Sequence, residues 1–174
     1  MIRSFNGKTP RIAESAFVSE AAYVVGDVTI GEDSSIWPGA VIRGDFGSIT
    51  IGCNSAVEDN CVIHSGSPSA PSGNVEIGDR VMIGHGAVLN CWKIGNNVLI
   101  GMHATVLHDA KIGDFCLIAA HTLVSRGMKI PDRSLVAGVP GRIKGEISKD
   151  QSWWVQHAYK EYAALAEQYK KEGL

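Results

Sequence analysis

The chain is short of aromatic residues and cysteines, and it lacks any long apolar run. Aromatics make up 7% of the 174 residues, too few for a core built on large rings. The four cysteines, Cys53, Cys61, Cys91 and Cys116, show no CxxC spacing. That excludes a zinc ribbon or a redox dithiol motif, and free thiols of a reducing compartment fit better than a disulfide framework. No stretch of about 18 apolar residues occurs, so no transmembrane helix is expected. Residues 1–10 hold no apolar segment of signal-peptide length, which points to a cytoplasmic protein away from membranes. An excess of one charge is also missing. Sixteen Lys and Arg stand against 18 Asp and Glu, a net charge of −2, which argues against a nucleic-acid partner. What the chain has is glycine, 20 residues, and 45% hydrophobic residues, enough for the core of one domain with many tight turns.

The glycines and aliphatics are periodic. Ile-Gly recurs at 30–31, 51–52, 77–78, 83–84, 94–95, 100–101 and 112–113. Most of these fall on a spacing of six, shared by the aliphatic series 12, 18, 24, 30, 36, 42, then 51, 57, 63, then 77, 83, 89, and finally 94 to 136. A small residue tends to lie four positions on, as at Ala16, Ala40, Ser55, Cys61, Ala87 and Ala104. A helix cannot bury such a period, because its faces repeat at 3.6 residues, and a plain strand repeats at two. Six residues fit one short strand and one tight turn. Three such units close a triangular coil, and stacked coils form a parallel β-helix with the aliphatic and small residues inside. The fold class is therefore all-β, a parallel β-helix of hexapeptide repeats over residues 1–141. Two insertions, between residues 42 and 51 and between 63 and 77, follow the third hexad of their coils and are expected to project from one corner, the second as a loop over 65–73. Residues 142–174 read as a linker and a C-terminal α-helix, with Val155, Tyr159, Tyr162, Ala166 and Tyr169 on one face, packed on the β-helix. Core packing is also the expectation for most of the set Trp153, Trp154 and the helix tyrosines.

Registering the histidines on the coils places His64 and Asn90 directly above one another, pointing outward, with Arg43 in the same column one coil away. His85 falls on another face, near a corner, where it meets His64 only across an interface between copies. Two imidazoles converging from two chains would form the start of a zinc site; scattered surface histidines are the competing reading. His103 and His108 are rival metal candidates, for which a solvated turn is the plainer reading, as it is for His121 and His157.

The motifs WPGAVIRGD (37–45), EDNCVIH (58–64), IGHGAVLNC (83–91) and IGM (100–102), with VAGVP (136–140) ahead of the helix, resemble the gamma-class carbonic anhydrases over nearly the whole chain. The resemblance implies a left-handed β-helix, a homotrimer, and interfacial sites where zinc activates water for attack on CO2. It implies that His64 is the first metal histidine and His85 the one given by the adjacent subunit. Arg43 and Asp45 match the family's Arg-x-Asp pair, which forms ion pairs across the trimer. Asp59 matches the Asp of its Gln-Asp pair, and Tyr162 the helix tyrosine that reaches towards the site. Where the family has its third histidine this chain has Asn90. The water-orienting Gln is Glu58, the Asn two positions earlier is Ala56, and Phe46 stands where a shuttle carboxylate is expected. Asn90 is a neutral, poor ligand, and Glu58 either replaces it or bonds to a metal-bound water. The expectation is a weakened divalent-metal site, zinc first and iron or cobalt behind it, acting on CO2 or bicarbonate slowly or not at all. Two other readings stand beside it: a hexapeptide-repeat acyltransferase or thioesterase using acyl-CoA, and a trimeric scaffold without catalysis.

Overall fold

The computed structural model describes residues 1–66 and 73–174. Short strands pair in parallel from coil to coil, so that each inward aliphatic stacks on its counterpart. On the first face Ile42, Ile63, Leu89, Val106 and Val124 form one such file. On the second the file is Ile30, Ile51, Ile77, Ile94, Ile112 and Ile130. On the third it runs Val18, Ile36, Val57, Ile83, Ile100, Ile118 and Val136. Nearly all of these are shut off from solvent and belong to one core. Burying each such side chain is worth about 1.5–3 kcal/mol, and this repeated gain holds strands that are mostly two residues long.

Corners repeat as strictly as faces. At one corner Asp33, Asn54, Arg80, Asn97, Phe115 and Arg133 all take positive φ, and at another Asn60, His103 and His121 do so beside Gly39 and Gly86. Asn, Asp and Gly tolerate this left-handed conformation best. Gly86 has a second reason to be glycine: a Cβ there would lie 2.5 Å from the His103 ring.

The two ends of the solenoid are covered by added strands. Ile2–Arg3 pairs in parallel with Val24 and Val25. Arg142–Glu146, expected as linker, forms an antiparallel strand on Ser134–Ala137. The first insertion is not a projecting loop. Val41–Ile51 runs as one strand beside Tyr23–Ile30, with a register shift between Gly26 and Val28. The paired strands approach so closely that a Cβ on Gly26 would sit 2.3 Å from the Gly44 carbonyl oxygen, so the glycines allow the sheet to absorb the extra residues as a bulge. Most of the loop expected over 65–73 lies outside the described residues; at its base the Gly66 amide donates to the Gly73 carbonyl at 2.9 Å.

The helix spans Lys149–Glu172. Ser148 accepts from the Gln151 amide while the Gln151 side chain accepts from the Ser148 amide, a capping box, and Gly173 closes the other end at positive φ. Tyr162, Ala166 and Tyr169 pack on Phe17 and Trp37, and Ala158 packs on Ala56 and Met82. Trp153 and Trp154 depart from the expected core packing and stay half exposed. No helix among the described residues is long and apolar enough to cross a membrane.

Candidate active site

The strand Val41–Ile51 aligns Arg43 beside His64 of Val62–His64, and the next coil sets Asn90 beyond His64. The expected column is therefore present. Asp45, two residues along the same side of the strand as Arg43, accepts from Arg43 Nη1 at 2.6 Å and from His64 Nε2 at 2.9 Å. Arg43 Nη2 lies 3.4 Å from His64 Nδ1. Arg43 and Asp45 thus form an ion pair within the chain. Asn90 turns its amide nitrogen to the backbone, donating to the His64 carbonyl at 2.6 Å and the Ser65 carbonyl at 3.4 Å. Burial alone would raise the Asp45 carboxyl. Hydrogen bonds from His64 and Arg43, with their charge, outweigh it and hold the carboxyl below its ordinary range.

A second cluster forms where the third face turns toward the first. His85 lies between two carboxylates: Nε2 is 3.0 Å from Glu58 Oε2 and Nδ1 is 3.0 Å from Asp59 Oδ2. The His85 amide also donates to Glu58 Oε2 at 3.0 Å. Glu58 is buried, whereas the His85 side chain is 46% exposed. Tyr162 reaches in from the helix and bonds Glu58. Burial raises the Glu58 carboxyl above its ordinary value, against the lowering effects of His85 and Tyr162. Burial and then the Glu58 charge push the Tyr162 hydroxyl well up, so it serves as a proton-bearing donor to Glu58.

The other histidines are apart from these clusters. His103 and His121 occupy corner turns, as expected, with their rings stacked at 5.2 Å. His108 also lies in a turn. His157 sits on the helix, its Nδ1 2.8 Å from the Trp153 carbonyl oxygen and its ring stacked on Trp153, so it is not a turn residue. Two neighbours of His64 were not legible as site residues. Phe46 packs its ring 5.4 Å from the imidazole. Ser65 is fully buried, and its hydroxyl accepts from the Phe46 and Gly47 amides at 3.2 and 3.0 Å, fixing the bulge that carries Asp45. The Phe46 substitution was visible in the sequence; its packing was not.

Among the described residues, one chain brings no three His, Cys, Asp or Glu side chains together in a group suited to a metal. The donor chemistry instead comes as two halves, each an imidazole backed by a carboxylate, as oriented metal histidines usually are. The residue types fit a divalent cation such as zinc.

The chain is 49% identical over 158 residues to a Methanocaldococcus jannaschii protein named "Probable carbonic anhydrase", spanning 90% of this chain and 96% of that one. It is 40% identical over 170 residues to a Geobacillus kaustophilus protein named "Carbonic anhydrase", covering 98% of this chain and 91% of that one. This chain belongs to the gamma-class carbonic anhydrase-like family of hexapeptide-repeat proteins. The family model described as bacterial transferase hexapeptide (six repeats) matches residues 9–44 and 93–126, stretches on either side of the second insertion. A hexapeptide transferase family protein from Anaplasma phagocytophilum superposes with a TM-score of 0.90 at 32% identity, covering 97% of each chain. Membership of a carbonic anhydrase-like family thus coexists with an architecture shared by transferases.

Proposed function

We propose that this protein is a trimeric, gamma-carbonic-anhydrase-like metal protein with sites between subunits, each built from His64 and Asn90 of one copy and His85 of the next. The observation that carries this reading is that His64 and His85 are each gripped by a carboxylate on a surface, in a chain this similar to named carbonic anhydrases. A divalent cation held there, zinc first and iron or cobalt behind it, would supply Lewis-acid activation of water toward CO2 or the reverse reaction of bicarbonate.

The chain's own residues have separate tasks. Asp45 orients the His64 ring and fixes which nitrogen carries hydrogen, and Arg43 holds Asp45. Asp59 and Glu58 hold the His85 ring between them, one at each nitrogen. Tyr162 anchors Glu58 by donating to it, which keeps that carboxylate beside His85. Asn90 stitches the His64 and Ser65 carbonyls to the adjacent coil through its amide nitrogen, which leaves its oxygen as the atom a metal would take. Glu58 then supplies the anionic donor that a third histidine would not.

The test is metal retention and CO2 hydration by stopped-flow on wild type and Asn90→His. Asn90→His should hold zinc at least about ten-fold more tightly, because a neutral amide is replaced by imidazole. Equal zinc affinity in the two proteins contradicts the weakened site. A second reading, an acyl-CoA-dependent transferase or thioesterase, is favoured by the shared architecture with the transferase-family structure; calorimetric binding of acetyl-CoA would support it. A non-catalytic trimeric scaffold would instead show neither metal nor CO2 hydration.

A further inference from the structure

The outward columns of the solenoid differ in kind. On the second face they are polar, with Thr50, Glu76, Lys93, Lys111 and Lys129 in register. On the third face they are apolar: Ala56, Met82, Leu99, Leu117 and Leu135. The helix covers the first two of these and leaves Leu99 and Leu117 half-buried. A groove of about 390 Å³ runs between them and the N-terminal half of the helix, bounded by Trp154, Ala158 and Ala120. That volume lies in the range of small-ligand sites. Glu58, His85 and Tyr162 line the groove, and Glu161 stands on its helix side.

The charge of the groove is one-sided. Two carboxylates line it, and no Lys or Arg does among the described residues. His85 is already engaged by Glu58 and Asp59 and Tyr162 spends its hydrogen on Glu58, so the exposed charge that faces an incoming group is the Glu161 carboxylate. Trp154, 50% exposed, offers a ring face that an ammonium group or an apolar body can cover. We propose that the groove between Leu99, Leu117 and Trp154 binds a small apolar amine, its hydrocarbon part on the leucines and its ammonium group toward Glu161. The ligand class follows from an apolar wall ending in carboxylates; an apolar carboxylate of the same shape would meet like charge. The inference goes beyond the proposed metal chemistry and does not depend on it, although the groove opens on the same Glu58 and His85.

Calorimetry and ligand-detected NMR with 3-phenylpropylamine, 3-phenylpropanol and 3-phenylpropionate, on chelator-treated full-length protein, test it. The amine should bind at least about ten-fold more tightly than the carboxylate, with the alcohol between them. Glu161→Gln should reduce the amine's advantage over the alcohol. Ala120→Phe, which fills the groove from an exposed position, should abolish binding of all three, and Leu117→Gln should weaken it if Ala120→Phe fails to fold. Equal affinity for amine and carboxylate overturns the proposal, as does binding that survives the groove variants. Absence of amine binding, with a second copy found seated on Leu99 and Leu117, assigns the groove to an interface and also overturns it. Because no metal is needed, failure here leaves the proposed function standing, and loss of zinc binding elsewhere leaves this proposal standing.

Discussion

At the scale of single residues, Asp45 is the pivot of the His64 side. It accepts from both Arg43 and His64, and its carboxyl lies below the ordinary 3.8. A lowered folded-state value means that Asp45 stabilises the fold above the unfolded-state value and loses that contribution as pH falls through the folded one. Asp45→Asn should therefore cost on the order of 1 kcal/mol at neutral pH and progressively less at acid pH, below 3.8, as the wild-type side chain takes up its own proton. Urea unfolding of both proteins at neutral and acid pH checks this; a cost that persists in acid would mean that shape, not charge, holds the pair. The stacking of His64 on Asn90 was legible because it follows from spacing alone. The clasp of Glu58 and Asp59 around His85 was not. Those residues sit 27 and 26 positions away from it in the chain, and the hexad does not encode which way a corner side chain turns. Asn90 was read as a weak ligand position; the use of its amide nitrogen on backbone carbonyls was not legible.

At the scale of elements, strands and helix obey different kinds of information. The hexad gave the strands and the core correctly because only one arrangement buries every sixth residue. The helix was legible from its aromatic spacing, and it begins at a capping box that sequence reading did not use. Ser148→Ala removes the acceptor for the Gln151 amide, and should cost about 1 kcal/mol. Because Tyr162 of this helix anchors Glu58, the same change should loosen the His85 cluster only if the whole helix frays. Hydrogen exchange is the check: faster exchange confined to the first turn agrees with a local cap, and faster exchange at Tyr162 shows that the cap holds the entire element. The elements misread were those where glycine or a strand end changes the rule. The first insertion is a bulged strand because Gly26 and Gly44 let two backbones meet. Residues 142–146 pair with the last coil, because that coil would otherwise end in an open edge. Trp153 and Trp154 stay half exposed, because a helix laid on one face of a prism can bury only one stripe of its surface.

At the scale of the whole molecule, the account holds that His64 and His85 each belong to a site that a neighbouring copy completes. Sequence spacing put His64 and His85 on different faces, as the structure has them, and the shared site is proposed on that separation. The direct measurement mixes His64→Ala and His85→Ala subunits carrying different tags, isolates the hybrid trimers, and counts bound zinc at saturation. Each parent assembly should lack the metal. Every hybrid should recover about one site in three, because in a closed ring only one junction pairs an intact His64 with an intact His85. Zinc retained by either parent variant, or hybrids as empty as both parents, would contradict a site shared between subunits.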